Sequence, residues 1–323
     1  MPRKIPKIVK DIQKSPPQEV NYAYQKNISY SQMSIFRGCP HRWKLQYKDK
    51  IKRFSSSIHT VFGTAIHEAI QHYLDVAYEK SFAAADREID IKEYFNDKFR
   101  TEYLNQYKKN NNSHFSDASE MREFFEDGIG ILEWFKKKRS RYFSRKGWYL
   151  VGCEVPITIA PNKMLNNVLY TGYLDVVMYD ERNNSFKIID IKSSTKGWNQ
   201  YAKKDEDKQY QLLLYKQFFS EQYNIPLEDI DIEFFIVKRK VLDWDDENIM
   251  SPHQAYRVQT FTPPSGKIKL NRAKTAITNF INECFNSSGK IKERDYPATP
   301  SKWTCTFCPY KEEQELCGEG IIY

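Results

Sequence analysis

TGYLDVVMYDERNNSFKIIDIKSS, residues 171–194, sets two apolar, β-branched-rich runs on either side of the polar cluster Asp180–Ser185. Two such runs around a short polar turn predict a β-hairpin. Asp175 and Asp190 stand equally far from the midpoint between Arg182 and Asn183, so a symmetric register places them opposite each other. Directly opposed residues have Cβ atoms roughly 4.5–5.5 Å apart. Lys192 follows Asp190 by two positions, and strand alternation turns it to the same face. Two carboxylates and an ammonium therefore converge beside a sheet. Left to itself the carboxylate pair repels; with a divalent cation it becomes a hard-oxygen site with a lysine alongside.

The surrounding 323 residues are long enough for a sizeable core. The net charge is +8, with 50 Lys and Arg against 42 Asp and Glu. That excess has the sign a polyanionic partner requires, although a solvated basic surface has it too. No apolar run is as long as the roughly 18 residues of a membrane span, and the first thirty residues lack a signal-peptide core, so a cytoplasmic protein is expected. Plentiful Lys, Asn, Ile and Tyr are the bias of an AT-rich genome, bacterial or phage. Six cysteines in a chain of this length are too few for a disulfide scaffold, so clustered ones suggest metal binding.

Residues 1–28 are polar and basic with four prolines, which predicts a loose arm. From about Gly63 to Lys146 the apolar spacing is helical, with Asp117 a candidate N-cap before Met121, Phe124, Phe125, Ile129, Leu132 and Phe135. After Gly147 the period changes to strands over Trp148–Ala160, Val168–Asp180 and Phe186–Ser193. A helix is expected near Asp207–Tyr223, strands at Asp231–Lys240 and Tyr256–Thr262, and a helix over Lys267–Phe285. The tail from Tyr296 is loop-like and carries three cysteines. No GxxxxGK[ST] phosphate loop occurs, which excludes a P-loop motor ATPase.

The tripeptide at the heart of the hairpin occurs twice. Asp90-Ile91-Lys92 repeats Asp190-Ile191-Lys192, but it falls in a helical stretch, where positions i and i+2 point about 200° apart. A solvated helix face is the reading of that first copy.

Gly172-x-x-Asp175 followed by Asp190-x-Lys192, with Gln211-Leu-Leu-Leu-Tyr215 on the next helix, resembles the PD-(D/E)XK nuclease superfamily, and the QxxxY element resembles its RecB-like branch. Gly63-Thr64-Ala65-Ile66-His67-Glu68 is similar to that branch's histidine motif, and Gly152-Cys153-Glu154-Val155-Pro156 to its acidic strand. The resemblance implies an α/β, restriction-endonuclease-like mixed central sheet flanked by helices. It divides the chain into the arm, then one nuclease domain over 29–323, with a helical insertion at 68–147, a sheet core at 148–262 and a cysteine module at 296–323. It further implies a Mg²⁺ or Mn²⁺ site on His67, Asp175, Asp190 and the Ile191 carbonyl. The chemistry agrees, because phosphodiester hydrolysis needs a cation that neutralises the phosphate and acidifies water. Lys192 would orient or deprotonate that water. Gln211 and Tyr215 share a helix face and could hold the DNA backbone or Lys192. Glu154 could contribute another carboxylate or serve as an ordinary strand residue.

Cys305-x-x-Cys308, Cys317 and a distant Cys39 could make a four-thiolate site, which accepts zinc or an iron–sulfur cluster. The chain resembles the RecB-like exonucleases of the CRISPR-associated and AddB types, which implies a [4Fe-4S] cluster that ties Cys39 to the tail. Eight residues separate Cys308 from Cys317, a longer gap than in those relatives, which keeps structural Zn²⁺ as the alternative. Cys153 and Cys284 read as small buried residues.

Arg42, the run Lys136-Lys137-Lys138-Arg139, and Lys238-Arg239-Lys240 interleave with aromatics and are candidates for a DNA path. Nothing reads base sequence, so structure- or end-dependent cutting is expected, and the resemblance implies an exonuclease acting on single-stranded or end-containing DNA. An endonuclease or flap-cutting enzyme, or a non-catalytic recombination, replication or CRISPR-adaptation component with a protein partner, are the rival expectations.

Overall fold

The computed structural model describes residues 4–243, 247 and 250–321. Among the described residues eleven α-helices run in chain order: α1 Lys7–Lys14, α2 Tyr30–Gly38, α3 Pro40–Trp43, α4 Ile58–Glu79, α5 Phe82–Glu88, α6 Ile91–Lys109, α7 Ala118–Lys138, α8 Gln200–Lys204, α9 Glu206–Tyr223, α10 Lys267–Cys284 and α11 Lys302–Thr306. Six strands accompany them among the described residues: β1 Lys26–Ile28, β2 Trp148–Ile159, β3 Val168–Asp180, β4 Ser185–Ser194, β5 Ile230–Lys238 and β6 Val258–Phe261.

They form one mixed sheet of order β1-β3-β4-β5-β6, with β2 also paired to β3. The pairs β1/β3 and β4/β5 are parallel, and β3/β4 and β5/β6 are antiparallel. This is the α/β, restriction-endonuclease-like architecture, a mixed sheet flanked by helices. The β3–β4 hairpin has the symmetric register, with Val176 opposite Ile189 and Asp180 opposite Ser185. Asn184 closes the turn with φ 51°, a left-handed conformation that asparagine tolerates. Asp180 supports it by accepting the Arg182 N–H at 3.1 Å.

The chain groups into two compact units. The first comprises residues 1–16, 56–155 and 173–264. Its core sets Phe62, Ile66, Ile70 and Tyr73 of α4 with Phe95, Phe124 and Phe135 against Ile189, Ile191 and Phe235 of the sheet. Gly128 makes one of these contacts possible, since a Cβ there would overlap the Phe95 ring. Glycine inside a helix is unfavourable by about 1 kcal/mol against alanine, and here close packing of α7 on Phe95 explains it. On the other sheet face Phe219 of α9 meets Phe186 at a ring separation of 5.5 Å. The expected N-cap is present, with Asp117 accepting the Glu120 N–H at 2.8 Å. The arm is not loose throughout: Lys7–Lys14 is helical and buries Val9 and Ile12, which three-residue spacing places on one edge. Surrounding lysines hide that edge in a composition count.

The second unit comprises residues 17–55, 156–172 and 265–323. Trp43 is fully buried at its centre, with Phe36, Phe280, Phe285 and Tyr296 around it at centroid distances of 5.5–6.3 Å from the indole. Chain-distant segments are tied by polar contacts. The Tyr310 hydroxyl donates to the Ile51 carbonyl at 2.6 Å, and His41 Nε2 lies 2.7 Å from the Leu316 carbonyl. Within this unit β1 pairs with the start of β3, so the last residues of the expected arm are also ordered.

Candidate active site

The ladder between β3 and β4 ends at Val176 and Ile189, and the same register carried one step sets Asp175 opposite Asp190. Asp175 Oδ2 accepts the Ile191 N–H at 2.7 Å. The Asp190 side chain is wholly buried; its Oδ2 lies 2.8 Å from Lys192 Nζ, while its Oδ1 has no hydrogen-bond partner among the described residues. Strand alternation thus delivers the three side chains that the hairpin predicted.

α4 supplies the fourth. His67 Nδ1 stands 3.5 Å from Asp175 Oδ2. The helix comes close to β4 at Gly63, where a Cβ would lie 3.4 Å from Ser193 Oγ. α9 brings Gln211 and Tyr215, four residues apart, with Gln211 Nε2 donating to the Tyr215 hydroxyl at 3.2 Å.

Burial dominates the electrostatics. It raises both Asp175 and Asp190 above the usual carboxylate range, and the Lys192 ammonium only partly opposes it. For Lys192 burial works against the charge, but Asp190 and Asp175 outweigh it and hold the lysine protonated. His67 is pushed down to about 4, first by burial and then by Lys192. It is therefore a neutral imidazole near pH 7, the form that ligates a metal. Burial, followed by the Asp190 charge, raises Tyr215 and keeps it a neutral hydroxyl.

Sequence reasoning missed Gln71. It lies one turn beyond His67 on α4, is 6% exposed, and donates to Glu154 Oε1 at 2.6 Å and to the Asp175 carbonyl at 2.9 Å. Glu154 itself is exposed, with φ 51° inside β2. Gln71 ties this left-handed residue to the strand that carries Asp175. The i, i+4 spacing from His67 was the available signal, but its target was visible only in three dimensions.

Cys39, Cys305, Cys308 and Cys317 line one cavity of the second unit, together with Arg42. Cys39 caps α3, its Sγ accepting the Arg42 N–H at 3.5 Å. Burial raises the Cys305 thiol, but N–H groups of Ile321 and Ser301 outweigh it and pull the thiol below its ordinary value. Four soft donors facing one cavity suit a thiophilic metal group. Among the described residues, no three His, Cys, Asp or Glu side chains are packed closely enough to form a ready metal-holding cluster, at this site or at the carboxylates.

The candidate DNA-path cations are distributed differently. Arg139 pairs with Asp86 Oδ2 at 2.6 Å, and Lys136 lies 3.7 Å from Asp86 Oδ1. Arg239 pairs with Asp127 at 2.8 Å over the Phe124 ring, and Lys240 reaches Glu123 at 2.9 Å. Lys238 is buried and donates to the His253 carbonyl at 2.8 Å. Lys137 and Lys138 are exposed. Lys136, Arg139, Arg239 and Lys240 thus each have a carboxylate partner on a neighbouring helix.

A mixed sheet whose central hairpin presents Asp, Asp-x-Lys and a helical histidine defines a restriction-endonuclease-like nuclease core. The family model for the PD-(D/E)XK nuclease superfamily matches residues 27–313, and the chain belongs to that superfamily. A solved structure from Eubacterium rectale, named as a candidate exonuclease, is similar over 82% of this chain and 84% of its own, at 13% identity and a TM-score of 0.43. No curated protein matches. Among the described residues no helix is long and apolar enough to cross a membrane.

Proposed function

We propose that this chain is a divalent-metal-dependent DNA exonuclease acting on single strands or DNA ends. The observation that carries the reading is the buried Asp190, whose Oδ1 has no hydrogen-bond partner among the described residues, set beside Asp175 and Lys192. An unpartnered buried carboxylate oxygen is costly unless something compensates it. Asp175, Asp190, the Ile191 carbonyl and neutral His67 would hold Mg²⁺ or Mn²⁺ with hard donors. The bound cation would neutralise phosphate charge and acidify a coordinated water. Lys192, kept protonated by the two aspartates, orients that water and offsets charge growing on the phosphate oxygens. Gln211 and Tyr215 hold the lysine or a substrate phosphate from α9. Water displaces the leaving oxygen in line: one P–O bond forms, one breaks, and the proton passes to solvent or to the 3′-oxygen.

In the second unit the four cysteines would hold a [4Fe-4S] cluster or a structural Zn²⁺. Their shared cavity supports either, and both would tie Cys39 to the tail.

The test is digestion of end-labelled linear single strands, linear duplex and covalently closed single-stranded circles with Mg²⁺ or Mn²⁺. Wild type is expected to release mononucleotides from linear strands and spare circles, with Lys192→Ala slower by about 10²-fold or more. Equal cutting of circles would make it an endonuclease. Metal-independent products, or an unaffected Lys192→Ala, would defeat the proposal.

A further inference from the structure

The first unit holds a second basic feature that the carboxylate site does not use. A cavity of about 640 Å³ follows the edge strand β6, lined by Val258, Gln259 and Thr260 with Arg141, Tyr142, Lys187, Lys203, Glu233, Lys238, His253 and Tyr256. Among the described residues four fixed cations face one carboxylate, and Glu233 is already committed to Lys187 at 2.8 Å. Among the described residues no carboxylate lies within ion-pair distance of Arg141, Lys203 or Lys238. The Lys238 side chain is buried, among the described residues its ammonium meets a backbone carbonyl, that of His253, and burial lowers its pKa. Such a group gains from an incoming anion.

The aromatic lining has its own pattern. The Arg141 guanidinium stacks over Tyr256 at 4.5 Å, and Tyr142 stands beside it in the wall. A smaller cavity of about 210 Å³ shares Arg141, Tyr142 and Lys187 and extends towards Trp148 and Tyr78. Cations alternating with rings, over a volume in the roughly 300–1,000 Å³ range of ligand sites, match a polymer that carries a phosphate and a flat ring per unit. By strand alternation Lys187 lies on the sheet face opposite Asp190 and Lys192, and none of the carboxylate-site residues lines the cavity.

We infer that this cavity is a secondary binding site for single-stranded nucleic acid, which holds the strand away from the scissile phosphate. Arg141, Lys203 and Lys238 take phosphates, and Tyr142 and Tyr256 stack a base. The inference rests on the nuclease reading for its choice of polyanion.

The experiment is fluorescence anisotropy of a labelled oligothymidylate on the full chain in EDTA, titrated across salt concentrations. The double variant Arg141→Ala/Lys203→Ala is expected to bind about tenfold or more weakly. Its log–log salt slope should fall by about 1.4, at roughly 0.7 per lost phosphate contact on a single strand. Arg141→Lys/Lys203→Arg should keep most of the affinity, and thermal melting confirms that each variant is folded. Wild-type and Ala-variant curves that coincide would overturn the site. So would a mononucleotide that competes as well as the oligomer, since the site would then serve a small ligand. A wild type that cuts DNA but binds independently of these residues loses only this inference. One that binds through them yet never hydrolyses DNA loses only the nuclease reading.

Discussion

The chain contains the same three residues, Asp-Ile-Lys, at 90–92 and at 190–192, and the fold uses them in opposite ways. Asp90 is the exposed N-cap of α6; its Oδ1 accepts the N–H groups of Lys92 and Glu93, both at 3.1 Å. Lys92 points away to an ion pair with Glu133. Asp190 sits in β4 with its carboxylate fully buried, and Lys192 turns back to it at 2.8 Å. In the first copy the carboxylate satisfies helix donors that would otherwise be orphaned. In the second, two-residue alternation stacks carboxylate and ammonium on one face, opposite another aspartate. Identical side chains become a cap or a candidate catalytic pair through backbone period alone.

The sharpest way to break this contrast is one substitution made twice. Asp→Asn keeps shape and hydrogen-bonding capacity while removing charge. At Asp190 it should lower metal-dependent cleavage by about 10³-fold, roughly 4 kcal/mol of barrier. At Asp90 the rate should stay within experimental error, because asparagine caps as well as aspartate. Rates for both variants under single-turnover conditions check this. Comparable losses at the two positions would mean that the Asp190 effect is structural.

A smaller effect separates the two without any turnover. Mn²⁺ at about 100 times its dissociation constant should stabilise the first unit by about 2.7 kcal/mol, since it relieves the repulsion between Asp175 and Asp190. A thermal melt with and without the ion should therefore shift upward by several degrees in wild type and in Asp90→Ala, and not in Asp190→Ala. A shift that survives Asp190→Ala would place the cation elsewhere.

The contrast also shows what the sequence carries and what it withholds. The hairpin, its register and the shared face of Asp190 and Lys192 were legible because alternation and turn chemistry are local properties. The QxxxY pair on α9 was legible for the same reason. The order of the sheet was not derivable from spacing, and the family resemblance implied only a mixed central sheet. Gln71 stayed hidden because its partners, Glu154 and the Asp175 carbonyl, lie 83 and 104 residues away. The DNA-path reading took Arg239 and Lys240 from a charge run, and Glu123 and Asp127 from α7 pair with them. A charge count along the chain cannot tell a phosphate-binding lysine from one that neutralises a distant helix. Division into two units, with Cys39, Cys305, Cys308 and Cys317 gathered in one, likewise depends on contacts across most of the chain.

The weakest expected effect is the one that fixes what Asp90 does. If its work is capping, Asp90→Ala should destabilise the first unit by about 1 kcal/mol, and Asp90→Asn by much less. Lys92→Ala, which removes an exposed ion pair, should matter less than the cap, within about 0–1 kcal/mol. Urea unfolding followed by circular dichroism resolves these differences as shifts of midpoint at constant slope. The ordering matters more than the sizes. Asp90→Asn as damaging as Asp90→Ala would show that the first carboxylate works by its charge rather than by accepting helix N–H groups. The two copies would then differ in degree of burial rather than in kind.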